Sequence, residues 1–233
     1  MTDFQTILDA DRELLMLLNG SDSLFIDRWM AWLTCGFTWI PLYIALLYIV
    51  IKNNETMSQI SLVIGCALMC VAVSDIAADV IAKPLVGRWR PSNDPFIKYA
   101  VTVVDGMRGS DYGFFSAHAA NTFSVAVFFC LLVRSRILSV SLIIWSLINC
   151  YTRIYLGLHY PADVVCGLVC GGLVGCLSYY VYYKVFSRIA PANNYISSQY
   201  TSTGYSLDDV DIVELVLVAS VIATVIAAVI VYI

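Results

Sequence analysis

An all-α membrane protein, with about six transmembrane helices in one bundle and an amphipathic helix at the N-terminus, is the fold class this sequence predicts. Composition is the first observation. Of 233 residues, 60% are hydrophobic and 13% charged, and mean hydropathy is +0.81, whereas soluble domains run at about 45–50% apolar and about 25% charged. Soluble, disordered and fibrous classes are thereby excluded. The second observation is a series of apolar windows near residues 29–51, 57–82, 116–133, 137–156, 162–186 and 212–233. Each approaches the ~20 residues that cross ~30 Å of hydrocarbon.

Residues 1–28 come first. Asp3, Asp9, Asp11 and Glu13 make this segment too acidic for a signal peptide. Phe4, Ile7, Leu8, Leu14, Leu15 and Leu18 recur at helical spacing before Asn19-Gly20, which predicts an amphipathic helix lying on the membrane or packed on the bundle. Residues 29–186 form the membrane domain. Six crossings place the 84–115 loop and the 153–162 connection on the face of the N-terminus, and 52–56, 134–136 and 187–211 on the other. Within the fifth window Gly167, Gly171 and Gly175 form a small-residue stripe that predicts close helix packing inside the bundle. The Tyr- and Ser-rich stretch 187–211 reads as a polar linker to an additional C-terminal span at 212–233. All eight cysteines lie in apolar stretches without a Cys-x-x-Cys pair, as packing residues would.

Net charge is −4, from 13 Lys+Arg against 17 Asp+Glu, so no overall field selects nucleic acid. The information lies in where the charges fall. Asp75, Asp79 and Lys83 follow at intervals of four, placing Asp79 to pair with Lys83 and position it. Both histidines of the chain, His118 and His159, sit at junctions between helices and the first face, among Lys83, Arg88, Arg90 and Arg153. Cations and imidazoles in that combination suit a phosphate dianion. Ser116 opens a helix, so the backbone N–H groups of Ser116, Ala117 and His118 offer an anion site, to which Lys83, Arg90 and Arg153 add charge and forked donors. Pro161 fits the first position of the fifth span, from which Asp163 reaches back to fix the His159 tautomer. A histidine nucleophile needs such a partner, leaving His118 to protonate a leaving oxygen. Read instead as a metal site, His159 and Asp163 are short of ligands for zinc.

These residues resemble the type 2 phosphatidic acid phosphatase superfamily. Its Lys-x6-Arg-Pro motif is matched by Lys83, Arg90 and Pro91, its Pro-Ser-Gly-His by Phe115-Ser116-Ala117-His118, and its Ser-Arg-x5-His-x3-Asp by Thr152, Arg153, His159 and Asp163. Phe115, Ala117 and Thr152 depart from the pattern. The resemblance spans about residues 57–186 and implies a bacterial lipid phosphate or diphosphate phosphatase that needs no metal or other cofactor. It implies catalysis through a phosphohistidine on His159, with Asp163 orienting, His118 as acid, and Lys83, Arg90, Ser116, Ala117 and Arg153 holding phosphate. Arg88 and Asp79 would support them. Undecaprenyl diphosphate, phosphatidylglycerophosphate, phosphatidic acid and a lipid A phosphate are the candidate substrates. A non-catalytic lipid-phosphate binder or transporter is the alternative, although binding alone does not require a His159–Asp163 pair.

The expected partners are therefore the lipid bilayer and a phosphorylated lipid, and no oligomeric state is assigned. Apart from the site cations, Arg12, Arg28, Lys98 and Arg108 lie on the motif face. Lys52, Arg134, Arg136, Lys184 and Arg188 lie opposite, in short loops or at helix ends. Basic residues in such places mark the cytoplasmic side, which puts the site on the periplasmic face of a bacterial inner membrane.

Overall fold

The computed structural model describes residues 3–189 and 198–232, whose regular structure is helical apart from two isolated β-bridges. Residues 190–197 of the expected linker lie outside the described residues. The helices are α1 (Asp3–Leu18), α2 (Leu24–Thr34), α3 (Ile40–Lys52), α4 (Met57–Val86), α5 (Ala117–Val133), α6 (Arg136–Tyr155), α7 (Pro161–Ile189) and α8 (Leu207–Tyr232).

Local chemistry sets several of these boundaries. Ser23, Thr56, Ser116 and Ser135 each cap a helix N-terminus through a side-chain oxygen, and Thr56 makes a full capping box with Gln59. A helix would otherwise run unbroken through the first apolar window. Instead Cys35 is extended, Gly36–Trp39 forms a tight 3₁₀ turn, and α2 and α3 meet at 64°. Pro41 in the first turn of α3 has no N–H to give, so it fits only after such a break.

Four helices, α4, α6, α7 and α8, are long and apolar enough to cross a membrane, and the bent α2–α3 pair makes a fifth if taken as one span. The chain is an integral membrane protein on that basis, with four or five such helices among the described residues where the sequence predicts about six. The shortfall is at α5, whose 17 residues extend ~25 Å at 1.5 Å per residue.

α5 lies at the centre of the bundle, packed by α4, α6 and α7. A core of Trp39, Leu42, Ile49, Phe128, Leu132, Leu142 and Trp145 fills the half of the bundle away from the motif face. The additional C-terminal span is part of the bundle. It packs on α2 and α3, buries Val213 and Leu217 in the same core, and receives hydrogen bonds from Trp29 to Thr224 (3.0 Å) and from Asn53 to Asp209 (2.9 Å). It also begins at Leu207, five residues before the expected start, after a turn anchored by the buried Tyr205 and by Thr203 donating to the Val133 carbonyl at 2.8 Å.

The glycine stripe brings α7 against α5. A Cβ on Gly167, Gly171 or Gly175 would lie 2.5–2.7 Å from the carbonyl oxygens of Ser116, Ala120 and Ser124. These are backbone atoms at the site's own helix and cannot swing aside. Gly171→Leu is therefore expected to cost about 1–3 kcal/mol by overpacking and to impair activity by moving Ser116 and His118. Thermal unfolding and turnover in detergent check this against Gly172→Leu, where the nearest atom is a Phe123 ring carbon at 3.4 Å. Equal effects at the two positions would contradict it.

Candidate active site

Three connections fold the motif segments together at one end of the bundle. After α4, Gly87 adopts φ +61° and releases the chain. Residues 88–90 then pair antiparallel with 111–113, through Arg90 N–H to the Asp111 carbonyl (2.9 Å) and Gly113 N–H to the Arg88 carbonyl (2.8 Å). At the end of α6, Gly157 at φ +67° lets the N–H groups of Leu158 and His159 turn back to the Arg153 carbonyl at 3.0 and 3.2 Å. A side chain there would strike Val101. Finally, Ser116 N–H donates to the Asp163 carbonyl (3.1 Å), joining the starts of α5 and α7.

His159 is the centre of the result. Its ring is 2% exposed, with Nε2 2.9 Å from Arg90 Nη1. Burial first, then the charges of Arg90, Arg153 and Lys83, hold this imidazole well below its ordinary pKa of 6.5. It is thus neutral, the form in which a ring nitrogen can attack phosphorus. In a uniformly ¹⁵N-histidine-labelled, untagged protein, His159 should keep the resonances of a neutral ring at pH 6, whereas protonation near pH 6.5 would contradict the geometry. The unfolded chain binds this proton near pH 6.5 and the folded chain does not, so the ring withdraws stability as pH falls below that value.

The expected partner of His159 is displaced. Asp163 is fully buried, but its Oδ2 lies 3.7 Å from His159 Nδ1, beyond hydrogen-bond distance, and that nitrogen has no partner among the described residues. Other donors hold the carboxylate beside the ring: Oδ1 accepts from Arg88 Nη1 (2.7 Å) and Oδ2 from the Tyr160 N–H (3.1 Å). Gly113 leaves the space between Arg90 and Asp163 clear, since a Cβ there would sit 3.3 Å from Oδ2.

Arg90 also donates to the Leu158 carbonyl (3.1 Å) and Ser110 Oγ (3.4 Å), and its buried Nε is unpartnered. Arg153 reaches Thr34 Oγ1 at 2.7 Å and likewise keeps an unpartnered Nε. Lys83 pairs with Asp79, one turn back, where α4 widens into π-type turns over Ile76–Ala82. At the helix start, the Ser116 N–H and hydroxyl are already engaged, by Asp163 and by the Ala119 N–H. The N–H groups of Ala117 and His118 donate to no protein acceptor among the described residues. His118 Nε2 is buried and unpartnered. Polar atoms buried in this way are rare in folded proteins unless a ligand or water satisfies them.

Two contributors escape sequence reasoning. Thr34, at the end of α2, is 119 residues from the Arg153 it holds. Asp11, on α1, accepts from both Arg88 Nη2 (2.6 Å) and the Ala162 N–H (2.9 Å). One signal for Asp11 does exist: it interrupts the apolar stripe Leu8, Leu15, Leu18 that faces the protein.

Below His118 an apolar cavity of about 490 Å³ runs between α3, α4 and α5, lined by Tyr43, Leu47, Leu68, Val71, Val125 and Phe129, with Asn121 and Thr122 beside the histidine. Tyr43, Leu47, Leu68 and Val71 are exposed on the outer surface of the helices, so the cavity opens sideways. Its size suits a single small ligand or lipid chain.

Three cations around a neutral imidazole are suited to phosphoryl transfer, and a bundle of membrane helices makes the class a membrane phosphatase. Residues 60–187 match the PAP2 superfamily, and the chain belongs to that family. It is a phosphatase acting on lipid phosphate esters. It is 41% identical to a Lipid A 4'-phosphatase of Bacteroides thetaiotaomicron over 182 residues, 78% of this chain and 80% of the relative. To a Lipid A 4'-phosphatase of Porphyromonas gingivalis the identity is 34%, covering 78% and 77% of the two chains. An Undecaprenyl-diphosphatase of Sulfolobus acidocaldarius is 27% identical, with 71% and 75% covered. No solved structure matches the chain.

Proposed function

We propose that this protein removes a phosphate monoester from a lipid A-type glycolipid at the periplasmic face of a bacterial inner membrane, through a phosphohistidine on His159. The observation that carries the mechanism is the neutral, buried His159, its Nε2 directed at Arg90 and its ring within the field of Arg153 and Lys83. A phosphoryl group entering there takes over the donors of Arg90, Arg153, Lys83 and the Ala117 and His118 N–H groups. His159 Nε2 then attacks phosphorus and the P–O bond to the lipid breaks. His118 gives its proton to the departing alkoxide and takes one back from the water that cleaves the P–N bond, which releases phosphate and restores both rings. Asp163 closes on Nδ1 and stabilises the ring as it gains charge. Positive charge at phosphorus comes wholly from side chains, so no metal is required.

Substrate choice follows the relatives: the two at 41% and 34% identity are both named for lipid A, whereas the diphosphatase is more distant. The apolar cavity beside His118 gives a lipid chain a place to lie. Six crossings, counting α2–α3 and the short α5 as one each, leave Lys52, Arg134, Arg136, Lys184 and Arg188 at the end of the bundle away from the site, which supports the periplasmic assignment.

Phosphate release by detergent-purified protein in EDTA, from lipid A, phosphatidic acid, phosphatidylglycerophosphate and undecaprenyl diphosphate, tests both parts. Lipid A should give the highest kcat/KM, with the 4'-phosphate lost. Preference for undecaprenyl diphosphate would overturn the substrate, and loss of all activity on chelation would overturn the metal-free mechanism.

A further inference from the structure

The acidic residue on α1 and the arginine preceding the first motif's Arg90 form a chain that ends on the reacting histidine. Asp11, 8% exposed, accepts from Arg88 Nη2 with Oδ2 and from the Ala162 N–H with Oδ1. The same guanidinium donates through Nη1 to Asp163 Oδ1, and its carbon lies 4.0 Å from the centre of the Tyr160 ring. Both ends of the Arg88 fork are therefore turned to carboxylates and its face to an aromatic ring, so the guanidinium is held as a bridge between Asp11 and Asp163. Asp163, at zero exposure, has among the described residues no other ion pair except its 3.7 Å approach to His159.

We propose that Asp11 and Arg88 are a positioning pair: α1 locks the first turn of α7 and aims the Asp163 carboxylate at His159. The proposal rests on the reading of His159 as nucleophile. Asp11 sets the angle of Arg88, and Arg88 compensates the buried charge of Asp163 and fixes which of its oxygens faces Nδ1. The N-terminal helix thus contributes to turnover without touching substrate. Its docking does not depend on the pair alone. Leu15 is buried against Ile154, Tyr160 and Val164, and Asn19 donates to the carbonyls of Tyr155 and Thr102 and accepts from the Thr102 N–H.

The test compares Arg88→Lys, Asp11→Asn and the double variant with wild type, and with Asp9→Asn, which loses only a half-buried pair with Arg12. Asn keeps an acceptor for the Ala162 N–H, and Lys keeps the charge but cannot bridge two carboxylates. Each single variant should lose about 10²-fold in kcat, the scale of a misplaced catalytic group. KM and inhibition by vanadate, which occupies the phosphate site, should stay at their wild-type values. The double variant should fall no further than the slower single one, because both act through the same carboxylate, and Asp9→Asn should match wild type. Wild-type kcat in Arg88→Lys or Asp11→Asn overturns the proposal. Vanadate affinity falling in parallel with kcat also overturns it, by making Arg88 a phosphate ligand. Trapping of ³²P on the protein in wild type and its absence in His159→Ala tests the underlying reading separately. If label persists in His159→Ala, that reading fails whatever the Arg88 variants show.

Discussion

Replacing His159 by alanine is expected to lower kcat by about 10⁶-fold, the loss seen when a nucleophile working within a catalytic unit is removed. The ring is buried at 2% exposure, and among the described residues no other imidazole is hydrogen-bonded to Arg90 Nη1. His118→Ala should cost less, about 10²–10⁴-fold, the contribution of a positioned acid. It should cost least on a diphosphate, whose departing phosphate needs less protonation than an alkoxide. Rapid quenching in base, which preserves a phosphorus–nitrogen bond, would show labelled enzyme accumulating in wild type and none in His159→Ala. Equal residual rates for the two variants on every substrate would reverse the roles assigned here.

Arg90→Ala should lower kcat by about 10²–10³-fold, the cost of removing one preorganised donor at developing negative charge. Vanadate binding should weaken with it. In this it differs from Arg88, whose fork bridges two carboxylates. Lysine should restore little at position 90, since one ammonium cannot meet the Leu158 carbonyl, His159 Nε2 and Ser110 Oγ together as the guanidinium does. Gly109 and Gly113 reinforce the point. A Cβ at either would press on the Arg90 side chain, to within 2.6 Å at Gly109 and 3.1 Å at Gly113, so the loop is shaped to hold that one group. Vanadate affinity at the wild-type level in Arg90→Ala would remove Arg90 from the set that holds phosphate.

Much of the site was legible because the spacing of its residues is short-range. The step from Asp79 to Lys83 is one helical turn, Pro161 opens α7 with Asp163 in its first turn, and Ser116 announces a helix start by the chemistry of a cap. Likewise the stripe Gly167, Gly171, Gly175 predicted a close helix contact, and the structure supplies its partner in α5. What the sequence could not convey is long-range. Nothing near Arg88 points to Asp11, 77 residues earlier, and nothing in the composition of the last helix says that it packs on α2 and α3. The fine geometry of Asp163 was also hidden. Its position in the first turn of α7 is readable, but the hold of Arg88 and the Tyr160 N–H on its oxygens depends on how three loops meet. The break at Cys35 escaped because hydropathy windows register apolar length and are blind to backbone direction.

The sideways opening of the cavity between α3 and α4 determines which concentration the enzyme senses. A substrate that slides in from the leaflet is never counted by its amount per litre of solution, because its encounters occur in two dimensions. Turnover should therefore follow the mole fraction of substrate in the bilayer or micelle. Adding inert lipid or detergent at a constant amount of substrate should slow the reaction by surface dilution, while concentrating the same vesicles should leave the rate per enzyme unchanged. In a cell, the same geometry ties the rate to how crowded the surrounding leaflet is with phosphorylated lipid, which makes the enzyme responsive to membrane composition.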